Sequence, residues 1–229
     1  MKLFRRDVPL KAYAYLLIGI AMVVSTLWLF AEIVEEVLES EILLWDKLVY
    51  FTLQSYSSYG VDVLMYWLTA MGSGMSVVGL SVALLLWLIV FGNQRREIYL
   101  FLIANAGGLA FNLFLKYLLQ RPRPSINADI GAVGYSLPSG HAMGAMIFYG
   151  FMTYLIIRSQ RGLWTSTLLS AIMVLFILGI GISRIYLNAH YASDVLAGFV
   201  AGSFWLVACI LALEARPFYR KYWQSEKNS

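Results

Sequence analysis

Residues 165–182 read TSTLLSAIMVLFILGIGI, residues 183–194 read SRIYLNAHYASD, and a second apolar run covers Tyr191–Leu213. Each apolar run approaches the length of about 20 residues that a helix needs to cross a bilayer core. The polar stretch between them is too short to be anything but a hairpin joining two spans. Four further runs of the same kind precede it: Tyr13–Ala31, Val63–Phe91 with its span starting near Met71, Ile98–Leu119 and Ala142–Ile157. The expected fold class is therefore all-α: a polytopic membrane protein with six transmembrane helices.

Composition agrees. The 229 residues are 60% hydrophobic and only 13% charged, about half the charged share of a soluble domain. Mean hydropathy is +0.71. Many of the 7 Trp and 15 Tyr flank the apolar runs, where aromatic rings settle at the membrane–water boundary. One integral-membrane domain, residues 1–229, accounts for the whole pattern. The first run is longer than a cleaved signal core and lacks a small-x-small cleavage site, so it reads as a retained span. The single cysteine, Cys209, lies in an apolar run; it reads as a small packing residue and gives no redox information.

Loop charges set the expected orientation. Six spans place both termini on one side, with Lys2, Arg5, Arg6, Lys11, Arg95, Arg96, Arg158, Arg161, Arg216, Arg220, Lys221 and Lys227. The other side holds Lys47, Lys116, Arg121, Arg123 and Arg184. Positive charge gathers in the cytoplasm, so both termini are expected inside. The net charge of +4 then reflects topology and is no nucleic-acid footprint. Glu32, Glu35, Glu36, Glu39, Glu41 and Asp46 fall in the first outer loop, about Glu32–Asp62. That loop reads equally well as a helix lying along the surface or as a solvated connector. Gly140-x-x-x-Gly144 and Gly198-x-x-x-Gly202 read as close helix-packing stripes.

Three outer segments collect the polar chemistry. In the first, Lys116 ends the third span and Arg121-Pro122-Arg123-Pro124 follows; prolines stop a helix. Asn105, Asn112 and Lys116 fall on one helical stripe, which in a membrane helix should face the protein interior or a wet cavity. The plainer reading, snorkelling of Lys116 and Arg121 to lipid phosphates, suits Arg121 and leaves the asparagines unexplained. The second segment is Pro138-Ser139-Gly140-His141 at the entrance of the fourth span. A helix N-terminus with a hydroxyl and free N–H groups makes an anion cradle, and Ser139 can equally serve as an N-cap. The third is Ser183-Arg184 to Asp194. His190 and Asp194 are four residues apart and share a helical face. A carboxylate on one ring nitrogen fixes the tautomer and leaves the other free to attack, though a structural or capping pair has the same spacing. Arg184 adds a cationic fork suited to phosphate. His141 and His190 are the only two histidines in the chain. The six-span topology puts all three segments at one membrane face.

Together these segments resemble a known family. Lys116-x6-Arg123-Pro124, Pro138-Ser139-Gly140-His141 and Ser183-Arg184-x5-His190-x3-Asp194 look like the three-part signature of the type-2 phosphatidic acid phosphatases, with every position matched and a motif core at 116–194. The general type it is most similar to is the bacterial lipid phosphatase of the phosphatidylglycerophosphate phosphatase B kind, members of which also act on undecaprenyl pyrophosphate. The resemblance implies hydrolysis of a lipid phosphomonoester or pyrophosphate through a phosphohistidine. It implies His190 as nucleophile, Asp194 as its orienting carboxylate and His141 as general acid. Lys116, Arg123, Arg184, Ser139 and Gly140 would hold the phosphoryl oxygens.

No set of His, Cys or paired carboxylates has metal spacing, so a metal-independent enzyme without cofactor is expected. The expected partners are a lipid phosphate substrate and membrane lipids, with no nucleic acid and no protein partner evident. The expected location is the cell membrane, with the site on its extracytoplasmic face. A rival class is a non-enzymatic lipid-phosphate binder or carrier, which needs cations but neither a nucleophile nor an acid. The vanadate haloperoxidases share similar motifs but are soluble, against this hydropathy. Residues 125–135, with Asp129 and two glycines, are expected to form a lid over the headgroup.

Overall fold

The computed structural model describes residues 10–39, 43–91, 95–125, 130, 132–159 and 162–227. Eight helices occupy them in the order α1 Leu10–Leu38, α2 Leu43–Gln54, α3 Tyr59–Met71, α4 Gly74–Phe91, α5 Arg95–Leu119, α6 Gly140–Arg158, α7 Leu163–Tyr186 and α8 Ala192–Lys227. No strand occurs among the described residues. Helices α1, α4, α5, α6, α7 and α8 are long and apolar enough to cross a membrane, as the hydropathy predicts. Trp28, Leu86, Ile89, Leu113 and Leu175 point outward, which suits a hydrocarbon solvent and not water.

Three boundaries differ from the sequence reading, one of them the end of α8, which runs on to Lys227 past the expected Leu213. The apolar run Val63–Phe91 is two helices, of which the spanning one, α4, starts at Gly74 close to the expected Met71. The run breaks at Gly72, whose N–H closes a short turn to the Thr69 carbonyl at 3.1 Å. Ser73 then caps α4 through its hydroxyl, 3.3 Å from the Ser76 N–H. A Cβ on Gly72 would lie 2.5 Å from Ile180 and 3.3 Å from the His141 ring, so the break fits directly against α6 and α7. The first outer loop is also mostly helical. α1 continues through Glu32, Glu35 and Glu36, and α2 follows with Val49, Tyr50 and Leu53 packed on Ala142, Ile185 and Val195. The loop is thus not a plain connector: its helix α2 packs one side against the bundle.

α6 is the central helix. Its Met143, Ile147, Phe148 and Phe151 are buried with Phe101 of α5, Ile180 of α7 and Leu206 of α8. Small residues set how closely its neighbours approach. Gly198 and Gly202 of α8 sit against α6, as the small-residue stripe predicts. A Cβ on Gly198 would stand 2.8 Å from the Ser139 carbonyl and 3.0 Å from Ala142. The stripe Gly140/Gly144 is only half such a contact: a Cβ on Gly140 would stand 3.1 Å from Asn112 Oδ1, while one on Gly144 would meet nothing within 4 Å. The obstacle at Gly198 is backbone, which cannot swing aside. Gly198→Ala is therefore expected to cost about 1–3 kcal/mol and to lower the melting temperature in detergent. An unchanged melting temperature would show that α6 and α8 separate there freely.

Candidate active site

One end of the bundle gathers the C-termini of α5 and α7, the N-termini of α6 and α8, and the two loops that join them. The α7–α8 hairpin turns tightly. The Ala189 and His190 N–H groups both reach the Arg184 carbonyl, at 3.0 and 3.2 Å. Asn188 takes the left-handed conformation, φ 54°, which asparagine tolerates better than most residues. The longer α5–α6 loop is pinned by Ser136. Its N–H donates to the Arg121 carbonyl at 2.9 Å and its hydroxyl to the Pro122 carbonyl at 2.9 Å. The Ser139 N–H donates to the Asp194 carbonyl at 2.9 Å, which ties the α6 entrance to α8. These bonds bring all three sequence motifs together.

His190 is almost fully buried at the centre. Its Nε2 lies 2.9 Å from Arg123 Nη1. A guanidinium only donates, so Nε2 accepts and carries the lone pair. The ring proton then belongs on Nδ1, which faces Asp194 Oδ2 at 3.5 Å. That approach is a charge contact without hydrogen-bond geometry, since Nδ1 has no hydrogen-bond partner. Burial, followed by the charges of Arg123, Lys116 and Arg184, holds the imidazole well below its ordinary 6.5.

The cations are fixed by backbone oxygens. Lys116 Nζ donates to the Tyr135 carbonyl at 2.6 Å. Arg123 Nε reaches the Val133 and Gly134 carbonyls at 3.1 and 3.0 Å, and Nη1 the Ala189 carbonyl at 2.8 Å. Burial pushes the Arg123 guanidinium down, and the charge of Asp194 opposes that shift. Arg184 is fully buried. Its Nη1 donates to Thr69 Oγ1 at 2.6 Å and to the Ile130 carbonyl at 2.8 Å, while Nε and Nη2 have no partner. Two uncommitted donors on a buried guanidinium are costly without an acceptor and suit a ligand oxygen.

Ser139 caps α6, its hydroxyl 3.4 Å from the Ala142 N–H, and Gly140 and His141 begin the helix. Asn112 of the predicted stripe is buried and donates to the Pro138 carbonyl at 3.4 Å. Asn105 does not share that role: its amide bonds back to the Phe101 carbonyl at 3.0 Å. Residues 126–129 and 131 of the expected lid, Asp129 included, lie outside the described residues.

Sequence reasoning missed four residues at this end. Arg121 does not snorkel. It pairs with Asp194 at 2.6 Å and Asp46 at 2.9 Å, with its side chain only 10% exposed. Asp46 and Ser193 complete that cluster, and Thr69 holds Arg184. Arg121 carried a signal in its place two residues before Arg123. Asp46 was one acid among seven in its loop, about Glu32–Asp62, and had none. Among the described residues, no group of three or more His, Cys, Asp or Glu could hold a metal ion.

Residues 97–218 match the PAP2 superfamily. The chain belongs to that family. The PAP2 match contains all three motifs but not Asp46 or Thr69, which the preceding helices supply. The PAP2 chain is 28% identical to phosphatidylglycerophosphatase B of Bacillus subtilis, over 65% of this chain and 77% of that one. It is 25% identical to an undecaprenyl-diphosphatase of Sulfolobus acidocaldarius, over 61% of this chain and 66% of that one. Its fold is that of a transmembrane PAP2-type phosphatidylglycerolphosphate phosphatase from Bacillus subtilis, with a TM-score of 0.74 at 21% identity over 87% of this chain and 96% of that one. With six apolar helices, this PAP2 protein is a multi-pass membrane protein.

The lowered His190 has a testable sign. The folded state keeps the ring neutral where the unfolded chain would bind a proton. The stability this group contributes is present above about pH 6.5 and is lost as pH falls below it. Imidazole NMR titration in detergent is expected to show one of the two histidine rings, absent from the spectrum of His190→Gln, still neutral at pH 6.5. A midpoint at or above 6.5 for that ring would contradict the buried, cation-lined environment.

Proposed function

We propose that this PAP2 protein hydrolyses the phosphomonoester or pyrophosphate headgroup of a membrane lipid, phosphatidylglycerol phosphate or undecaprenyl pyrophosphate in particular. The observation that carries the reading is His190. Its Nε2 lone pair faces Arg123 at 2.9 Å, and the charge of Arg184, whose Nε and Nη2 are uncommitted, acts on the ring. A nucleophilic nitrogen under guanidinium charge suits attack on phosphorus.

In the proposed sequence, Nε2 of His190 attacks the phosphorus and the P–O bond to the leaving group breaks. His141 gives its proton to the leaving oxygen. Asp194 balances the positive charge on the phosphorylated ring. Water, deprotonated by His141, then attacks the phosphohistidine, and inorganic phosphate leaves with Nε2 free again. Lys116, Arg123 and Arg184, with Ser139 and the Gly140 N–H, hold the phosphoryl oxygens. Three cations and a helix N-terminus supply the charge neutralisation that a metal supplies elsewhere, so the reaction is proposed to need none. The site is proposed to face the extracytoplasmic side with both termini in the cytoplasm, from the loop-charge asymmetry. The whole chain, 1–229, is taken as one phosphatase domain.

The test is phosphate release by the purified protein in detergent with EDTA, across lipid phosphates and pyrophosphates. Release from at least one lipid in EDTA is expected. Binding without release would make it a lipid-phosphate binder, and loss of release in EDTA would remove the metal-free reading.

A further inference from the structure

We infer that Asp46 and Arg121 form a positioning pair that holds the Asp194 carboxylate for the nucleophile. The inference rests on the proposed attack by His190. It concerns residues that touch neither the phosphate cradle nor the ring.

Every oxygen in the cluster is committed. Asp194 Oδ1 takes Arg121 Nη1 at 2.6 Å, and Oδ2 takes the Tyr191 N–H at 3.0 Å. Oδ2 is also the atom that faces His190 Nδ1 at 3.5 Å. Arg121 Nη2 reaches Asp46 Oδ2 at 2.9 Å. Asp46 Oδ1 accepts from the Ser193 N–H at 2.8 Å. The Ser193 hydroxyl bridges the pair, 2.7 Å from Asp46 Oδ2 and 2.8 Å from Arg121 Nη1. The Tyr191 ring covers the guanidinium at 4.2 Å. Arg121 thus has one fixed position, and α2 is fastened to the start of α8 through Asp46.

Charge explains why Asp46 belongs there. Phosphorylation of Nε2 puts positive charge on the His190 ring, next to Arg123 and near Lys116 and Arg184. Asp194 is the carboxylate facing that ring. Arg121 alone would draw the Asp194 charge toward itself and away from Nδ1. Asp46 neutralises Arg121 from its other side, so two carboxylates share one guanidinium. The surplus negative charge stays on the side of Asp194 that faces His190. Arg121 then orients the carboxylate without cancelling it.

The test is Asp46→Asn in the full-length protein, with kcat and KM measured on the best lipid substrate and competitive inhibition by inorganic phosphate as the readout of the cradle. By analogy with the outer partners of metal-bound histidines, kcat is expected to fall about 10- to 100-fold. KM and the phosphate inhibition constant should stay within about twofold, because Lys116, Arg123 and Arg184 are untouched. Ser193→Ala, which removes the bridge alone, should show the same split more mildly. The double variant Asp46→Asn/Arg121→Lys should be no worse than the worse single one, since both act through one carboxylate. Unchanged kcat, a rise in KM instead, or full additivity overturns the inference. So does failure of both Asp46→Asn and Ser193→Ala to fold, which would make the cluster a structural staple. A wild-type protein that releases no phosphate sinks the proposed function; an active wild type with unaffected variants sinks only this inference.

Discussion

Replacing His190 by alanine is expected to lower phosphate release by about 10⁶-fold, the order seen when a hydrolase loses its covalent nucleophile. The size follows from what the ring does. Its Nε2 is the proposed nucleophile, its lone pair is kept unprotonated by burial among cations, and alanine offers nothing in its place. Water could use the remaining cradle of Lys116, Arg123 and Arg184, but without a fixed nucleophile it would attack slowly. The covalent step adds a second readout. Wild-type protein quenched in alkali during turnover of a labelled substrate should carry label on histidine, and His190→Ala should carry none. His141→Gln should slow both formation and breakdown of that adduct. Full release by His190→Ala would remove the mechanism. Label on another residue would move the nucleophile and leave the hydrolase standing.

Much of this arrangement was legible in the chain, and the reason is solvent. A bilayer allows few spanning structures, so long apolar runs report helices almost directly. The run 165–182 and its partner gave α7, the hairpin and the start of α8 with errors of a few residues, while α8 runs on to Lys227, well past the expected Leu213. The start of the span near Met71 was legible, but the separate helix α3 before it was not, because Gly72-Ser73-Gly74 lies within a long apolar run and glycine is common in membrane helices. Only packing shows why Gly72 is needed, with Ile180 standing where a Cβ would go.

The site divides along the same line. Its three motifs were readable because each is local, with spacings that fix a helix end and what projects from it. Asp46 and Thr69 were not, because nothing local marks them. Asp46 lies 147 residues before the Ser193 it bonds, and Thr69 is 115 residues before Arg184. Arg121 was misjudged because a cation near a helix end usually reaches for lipid headgroups. Two buried carboxylates within 3 Å decide otherwise, and a sequence does not show them.

Arg184→Ala is expected to lower kcat/KM by about 10²–10³-fold, the cost of removing one preorganised donor set from a developing anionic centre, about 2.7–4 kcal/mol. The fork is aimed before any substrate arrives. Thr69 Oγ1 and the Ile130 carbonyl hold Nη1 at 2.6 and 2.8 Å, which leaves Nε and Nη2 free and fully buried. The guanidinium therefore bears its desolvation cost in the free protein, and a phosphoryl oxygen would relieve it. Donors fixed in advance stabilise the spread charge of phosphoryl transfer more than they stabilise the bound substrate, so the loss should fall mainly on kcat. Lysine restores the charge but cannot bond Thr69 and the substrate through one planar fork, so Arg184→Lys should recover only a small part. Thr69→Val separates aim from charge: Arg184 stays, its anchor is lost, and a smaller loss in kcat is expected. If Arg184→Lys were fully active, the site would need only a positive charge at that depth, and the orientation argued from Thr69 would be wrong.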